Sequence, residues 1–328
     1  MHGTRTVVLA TESADRARRE LDQIPGISAI ARYDLADARS DEELVQGLDG
    51  AWATVAGSEH YTRAVLQATP NLKAIFRFGT GTDAIDVPAA TDAGVAVITT
   101  PAVNAEAVAD MALALMLASI RRLTAFDDAV RTGTWRPGGS TRDLAGATVG
   151  VVGLGAIGRA VTRRLRGFGC RVLAVEPYPD EEFCARYEVG LTDLETLLPQ
   201  LDVLTLHAPL TDASRRLIGT RELALLPRHA VVINAARGEL IDQAALVAAL
   251  HEHRIAAAGL DVFEREPVPR DDPILAAPNA LLSGHVSSST ELGLGRMADA
   301  VVENLREVLD GKIPASCLNP EAWTDGTG

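Results

Sequence analysis

Three segments of the sequence end an apolar, strand-like run with a side chain able to do chemistry. In Val232-Ile233-Asn234-Ala235-Ala236-Arg237-Gly238-Glu239, Arg237 stands just past the run and before a glycine, so it projects from a turn. A guanidinium fork there grips a carboxylate at two points and polarises a neighbouring carbonyl. In Gly259-Leu260-Asp261-Val262-Phe263-Glu264-Arg265-Glu266-Pro267, Asp261 closes the run and Glu266 lies in the loop that follows. Ser283-Gly284-His285 comes after the apolar Ala280–Leu282. A carboxylate beside a histidine fixes its tautomer and favours its charged form, which suits the ring to hand a proton to a developing alkoxide. Singly, each of these residues reads equally well as a loop cap or a solvated group. Together, at the strand ends where open α/β sheets bind ligands, Arg237, Glu266 and His285 form a candidate catalytic set.

A second motif says what stands beside them. Gly153-Leu154-Gly155-Ala156-Ile157-Gly158 follows the apolar Thr148–Val152 and opens a helical pattern with Ile157, Val161 and Leu165 on one face. Gly153 permits the tight turn, Gly155 lets a pyrophosphate approach the backbone, and Gly158 lets helix and strand pack closely. The helix N-terminus, at Ala156 and Ile157, offers N–H groups and partial positive charge to the phosphates. Glu176 ends the next strand-like run, where a carboxylate accepts from both ribose hydroxyls and repels a 2′-phosphate. The cofactor read from these residues is NAD rather than NADP.

The elements that must position these groups alternate throughout the chain. Strand candidates are Val7–Ala10, Ala51–Val55, Leu72–Phe76 and Val95–Thr99, then Thr148–Val152, Arg171–Val175, Val203–His207, Ala230–Ala235, Ala257–Asp261 and Ala280–Ser283. Helical patterns lie between them, at Asp41–Leu48 and Thr62–Thr69 among others. Ala105–Ile120 is apolar nearly all round and predicts a long buried helix, and another helix is expected near Ala298–Leu309, before a fraying polar tail. Arg131–Ser140, punctuated by glycine and proline, reads as a loop. The rhythm argues an α/β protein with two doubly wound, Rossmann-like or flavodoxin-like domains. The NAD-binding domain spans residues 103–286, inserted in a substrate-binding domain of residues 1–102 and 287–328, with the chemistry expected in the crevice between them.

Length and composition fit that reading. A chain of 328 residues suits two cores rather than one. Its formal charge of −13 disfavours a nucleic acid or anionic membrane partner, so an anionic substrate needs a local pocket. The three cysteines, Cys170, Cys184 and Cys317, lack metal spacing and point to a reducing cytoplasm, and no metal site is expected. Met1–Arg5 runs straight into a strand-like run, so no signal peptide is expected. The longest apolar stretch, Met111–Ile120, is too short to span a bilayer.

The ordered series of landmarks resembles the D-isomer-specific 2-hydroxyacid dehydrogenases over nearly the whole chain. They are Arg77–Asp86, Asn104–Asp110, Gly153–Gly158, Leu206-His207-Ala208-Pro209-Leu210-Thr211, Asn234–Gly238, Leu260–Pro267 and His285. The resemblance implies an oxidoreductase that moves a hydride between NAD and a small 2-hydroxy or 2-oxo acid, acting as a homodimer through the cofactor domain, with Arg121–Trp135 as an arm. It implies that Arg237 orients the substrate carboxylate and carbonyl, that Glu266 and His285 form the acid–base pair, and that Asp261 holds the nicotinamide carboxamide. Asn104 and Val108 would border the nicotinamide. His207, Ala208, Pro209 and Ala235 would line the cofactor groove. Thr80 and Gly81 would offer N–H groups to the substrate carboxylate, with Gly57 as a further contact. There are departures: Gly284 replaces the usual proline before the histidine, loosening that loop, Asp110 a usual Glu and Met111 a common His. The loop Val55–His60 lacks the arginine typical of 3-phosphoglycerate dehydrogenases, although Arg77 and Arg136 match other anion contacts, which leaves room for an anionic substrate tail. Two other readings of this fold stay open, an NAD(H)-sensing corepressor and a phosphite or formate dehydrogenase.

Overall fold

Parallel strands buried on both faces dominate the computed structural model, which describes residues 4–33, 35, 40–135 and 138–323. The chain divides into two compact units, Met1–Asn104 with Ser289–Gly328, and Ala105–Ser288. Among the described residues, no helix is long and apolar enough to cross a membrane.

The first unit holds five strands, β1 (Arg5–Leu9), β2 (Ile27–Ala31), β3 (Ala53–Ala56), β4 (Ala74–Arg77) and β5 (Ala96–Ile98). They pair in parallel in the order β2-β1-β3-β4-β5. Alternation along each strand feeds two cores. Val7, Leu9, Val55 and Phe76 pack beneath α1 (Asp15–Leu21) and α12 (Glu291–Leu309), whose Val301, Val302 and Leu305 are fully buried or nearly so. Val8, Ile75 and Val97 face the other way, towards Leu44 of α2 (Asp41–Gly47), Val65 of α3 (Arg63–Ala68) and Ala89 of α4 (Val87–Asp92). Each apolar α12 side chain so buried is worth about 1.5–3 kcal/mol, which explains why the last helix belongs to the first sheet.

Two expectations need correction here. The sequence predicts four strands in this part, but β2 is a fifth; its Ile-Ser-Ala-Ile-Ala run sits at the sheet edge and carries alanines that read as helical. The closing helix starts at Glu291, not near Ala298, because Thr290 caps it by accepting from the Gly293 N–H. Gly293 and Gly295 mask that first turn in the sequence.

The second unit opens with α5 (Ala105–Ile120), the predicted long helix, whose Val108, Ala109, Ala112, Leu113 and Met116 are buried. α6 (Leu123–Arg131) follows and buries none of its residues. Then come β6 (Thr148–Val152), α7 (Ala156–Gly167), β7 (Arg171–Val175), α8 (Glu181–Arg186), β8 (Gly190–Leu191), α9 (Leu194–Leu197), β9 (Val203–Leu206), α10 (Thr220–Leu225), β10 (Val231–Asn234), α11 (Gln243–His251), β11 (Ala257–Leu260) and β12 (Ala280–Leu282). The sheet runs β12-β11-β10-β9-β6-β7-β8, all parallel. Its order reverses between β6 and β9, a doubly wound arrangement in which ligands bind at the carboxyl ends beside the reversal. The two-residue β8 is an addition to the predicted strands. Arg136 and the last five residues, 324–328, lie outside the described residues.

Candidate functional site

At the reversal of the second sheet, the glycine turn is forced by its neighbours. Gly153 has φ +93°, and a Cβ there would lie 2.7 Å from the Ala208 nitrogen and the His207 carbonyl carbon. A Cβ on Gly158 would stand 2.0 Å from the Gly153 oxygen. Gly155, by contrast, faces open space, with nothing within 4 Å of its Cβ position. α7 begins there with no side-chain cap, so the N–H groups of its first turn are left for an anion. Glu176 accepts the Leu154 N–H at 2.8 Å and the Tyr178 N–H at 3.0 Å, which aims its carboxylate at the glycine turn with acceptor capacity to spare. His207 is 8% exposed. Its Nε2 meets Thr205 Oγ1 at 2.9 Å, while its buried Nδ1 has no partner. Burial without a counter-charge lowers its pKa to about 4, so the ring is neutral at physiological pH. An open glycine cradle, an uncapped helix start, an anchored acid and an orphaned ring nitrogen together fit a dinucleotide.

The three candidate catalytic residues come from consecutive loops on adjacent strands β10, β11 and β12. The loops are held against each other by main chain. A Cβ on Gly238 would fall 1.9 Å from the Phe263 carbonyl carbon, so only glycine lets the Arg237 turn lie on the Glu266 loop. Asn234, 1% exposed, braces the turn from below. Its amide donates to the Arg237 oxygen at 2.8 Å and accepts the Ala236 N–H at 3.1 Å. Arg237 Nη1 donates to the Ala236 oxygen at 2.6 Å. Glu266 Oε2 lies 2.6 Å from His285 Nδ1, and Glu266 Oε1 accepts the Phe263 N–H at 2.9 Å. His285 adopts a left-handed φ of +53°, uncommon for a side chain other than glycine, and its N–H donates to the Asp261 oxygen at 2.7 Å.

The Asp261 carboxylate, for which the resemblance implies a carboxamide contact, also ties down the histidine loop. It is fully buried. Oδ1 accepts from Ser283 Oγ at 2.6 Å and the Val286 N–H at 3.0 Å; Oδ2 accepts from the Ser287 N–H at 2.9 Å and from Ser287 Oγ. Four acceptor sites are thus taken by the histidine loop. That clamp also answers the expectation that Gly284 loosens the segment. Nothing lies within 4 Å of a Gly284 Cβ, and the loop is tied down on both sides of it. The sequence analysis missed Asn234, Ser283 and Ser287; a polar residue interrupting an apolar strand end was the available signal.

Four of the other expected substrate contacts, Gly57, Arg77, Thr80 and Gly81, lie in the first unit, around the ends of β3 and β4. Thr80 and Gly81 present N–H groups with no acceptor among the described residues. Gly79 has φ +140°, and its N–H is used by Thr100 Oγ1 at 3.0 Å. Two further candidates have hydrogen-bond partners within their own loops. Arg77 turns its guanidinium onto its own loop, with Nε on the Gly81 oxygen at 2.9 Å and Nη1 on the Phe78 oxygen at 2.6 Å. The Gly57 N–H is donated to Glu59 Oε2 at 2.7 Å and so is not offered outward. Asn104 leaves its buried Oδ1 without a partner. Val108 and Ala235 are 5% and 8% exposed, and Pro209 is exposed.

Comparison with known proteins gives this geometry a family. Residues 113–287 match the model of the D-isomer specific 2-hydroxyacid dehydrogenase NAD-binding domain. A glyoxylate reductase of Korarchaeum cryptofilum is 41% identical over 262 residues, covering 78% of this chain and 79% of its own. A glyoxylate/hydroxypyruvate reductase B of Yersinia pestis is 36% identical over 297 residues, covering 89% and 91%. Among solved structures, an NADPH-dependent glyoxylate/hydroxypyruvate reductase of Sinorhizobium meliloti, in complex with NADP and malonate, superposes with a TM-score of 0.84 at 30% identity, covering 99% of this chain and 100% of that one. With the dinucleotide cradle and the histidine–glutamate pair already in place, the chain belongs to the D-isomer specific 2-hydroxyacid dehydrogenases, NAD-dependent oxidoreductases that interconvert 2-hydroxy and 2-oxo acids.

Proposed function

We propose that this chain reduces a small 2-oxo acid to the D-2-hydroxy acid with Arg237, Glu266 and His285 as its catalytic residues, preferring NADH to NADPH. The 2.6 Å contact between His285 Nδ1 and Glu266 Oε2 carries the reading. With the other Glu266 oxygen held by the Phe263 N–H, the carboxylate accepts the Nδ1 proton and leaves Nε2 as the working edge. A bound dinucleotide would supply the hydride. In reduction, Nε2–H gives its proton to the carbonyl oxygen as charge builds there; in oxidation, the neutral Nε2 takes the hydroxyl proton. Arg237 grips the carboxylate and stabilises the developing oxyanion. In the first unit, the N–H groups of Thr80 and Gly81 would hold the carboxylate, which makes this unit the substrate domain and the second unit the cofactor domain. Glu176 would disfavour a 2′-phosphate.

The test is NADH oxidation at 340 nm with a panel of 2-oxo acids, repeated with NADPH. Turnover with NADH and weaker turnover with NADPH is the expected result. Tight NADH binding with no turnover would favour a sensor, and faster use of NADPH would refute the Glu176 argument. We further infer a homodimer through α6, whose Leu123 and Val130 are 54% and 51% exposed and which is followed by Trp135 at 76%. A monomeric mass by light scattering contradicts it. The free cysteines Cys170, Cys184 and Cys317 support a cytoplasmic home, which cell fractionation checks.

A further inference from the structure

Beside Glu176 stands a cation to which no role has been given. Arg159, the first residue after Gly158 on α7, donates from Nε to the Leu154 oxygen at 2.8 Å and from Nη1 to Asp180 Oδ2 at 2.7 Å. Its guanidinium lies 5.4 Å from the centre of the Phe183 ring. Leu154, in the glycine turn, is therefore gripped on both polar groups of its main chain: Glu176 accepts its N–H at 2.8 Å and Arg159 holds its carbonyl. Asp180 opens α8, where Oδ1 caps the helix by accepting the Phe183 N–H at 3.0 Å while Oδ2 takes Arg159. The Phe183 N–H and the Arg159 charge hold the Asp180 carboxyl below the usual carboxylate range, so the pair is ionised at physiological pH.

We propose that Asp180, acting through Arg159, is a second determinant of the choice between NAD and NADP. The proposal rests on the dinucleotide reading of the glycine turn and deepens the Glu176 assignment. Glu176 repels a 2′-phosphate, but a guanidinium anchored to the same turn is suited to grip one through two parallel N–H donors. Asp180 occupies that guanidinium: Nη1 is engaged and the charge is answered at 2.7 Å, which leaves the repulsion from Glu176 whole. The Arg159 and Asp180 side chains are 35% and 40% exposed, so burial does not lock the pair together. Without the Asp180 charge, Nε would keep the Leu154 carbonyl while the Nη groups turned to the phosphate. Asp180 is thus a positioning residue, which discriminates by holding Arg159 and not by touching the cofactor.

The experiment measures dissociation constants of NADH and NADPH by fluorescence titration for the wild type, Asp180→Asn, and Asp180→Asn combined with Arg159→Gln. Asparagine caps a helix as well as aspartate does, so α8 keeps its start while the charge goes. Asp180→Ser, which also caps, repeats the test if asparagine disturbs the fold. Asp180→Asn should shift the ratio of NADPH to NADH affinity towards NADPH by about fivefold, the upper range for one exposed charge pair. Added salt should shrink that shift. Removing Arg159 in the same background should return the ratio to the wild-type value or below it. General damage to the glycine turn weakens both cofactors and cancels in the ratio. An unchanged ratio in Asp180→Asn, or a gain that survives the loss of Arg159, overturns the proposal. A wild type that binds NADPH better than NADH refutes the Glu176 argument alone, because the shift is read from whatever ratio the wild type has. A wild type that binds neither dinucleotide removes both.

Discussion

The carboxyl ends of the two sheets are built by different means. In the second unit, loop meets loop through main chain: the Gly238 Cβ position is 1.9 Å from the Phe263 carbonyl carbon, and that of Gly158 is 2.0 Å from the Gly153 oxygen. The buried Asp261 adds a clamp of four hydrogen bonds on the histidine loop. In the first unit, side chains hold the loops: Arg77 caps the carbonyls of Phe78 and Gly81, Glu59 takes the Gly57 N–H, and Thr100 takes that of Gly79. Main chain in contact with main chain cannot give, which suits a hydride and proton transfer whose geometry must be held to a fraction of an ångström. Loops propped by side chains can be re-tailored by single substitutions, which suits recognition of different substrate tails.

Adding one methyl group to each set of loops gives the sharpest contrast. Gly238→Ala drives its Cβ into backbone, so the Arg237 and Glu266 loops must separate; a loss of about 3 kcal/mol or more in urea unfolding and about 100-fold in kcat/KM is expected. Gly57→Ala meets the far end of the Glu59 side chain, which can swing, and Thr11 Cβ at 3.0 Å. It should cost about 1 kcal/mol and alter substrate preference more than turnover. Equal losses in the two variants would erase the distinction.

Effects spread over the pH range arise from two buried groups, Glu59 and His207, which act in opposite directions. Glu59 holds its proton to about pH 7 in the fold but only to its ordinary carboxylate value when unfolded. Its stabilising contribution is therefore full below about pH 4.5 and is lost as pH rises through 7, by about 3 kcal/mol. His207 takes a proton only near pH 4 in the fold, whereas the unfolded ring takes one near 6.5. Its contribution is full above about pH 6.5 and is lost as pH falls through 4, again by about 3 kcal/mol. Urea midpoints measured from pH 4 to 8 check both. Glu59→Gln should flatten the alkaline loss and leave the acid one, and His207→Gln should do the reverse. A variant that flattens the wrong limb contradicts the burial assigned to that residue.

How much of this was legible in the sequence follows the same division. β6, β7 and α5 were readable to the residue, because apolar period and flanking glycines agree with the tertiary packing. β2 was not, since a small-residue edge strand is defined by its neighbour rather than by its own pattern. In the second unit, residue type and order alone suggested that Glu266 and His285 meet, and the structure brings them together. The burden carried by Asp261 was hidden, as sequence shows a carboxylate but not how many donors converge on it. Glu59 was hidden more completely: a loop glutamate reads as solvated, and only three-dimensional packing reveals that it is enclosed.

The central claim is that the His285–Glu266 pair moves the proton. Replacing His285 by alanine removes the proton donor while leaving the glycine turn, Glu176 and His207 intact. The measurement is kcat for 2-oxo acid reduction by His285→Ala beside its dissociation constant for NADH. A fall in kcat of about 10²–10⁴-fold, with NADH affinity within about threefold of wild type, is the predicted result. Near-normal reduction by His285→Ala would contradict the account.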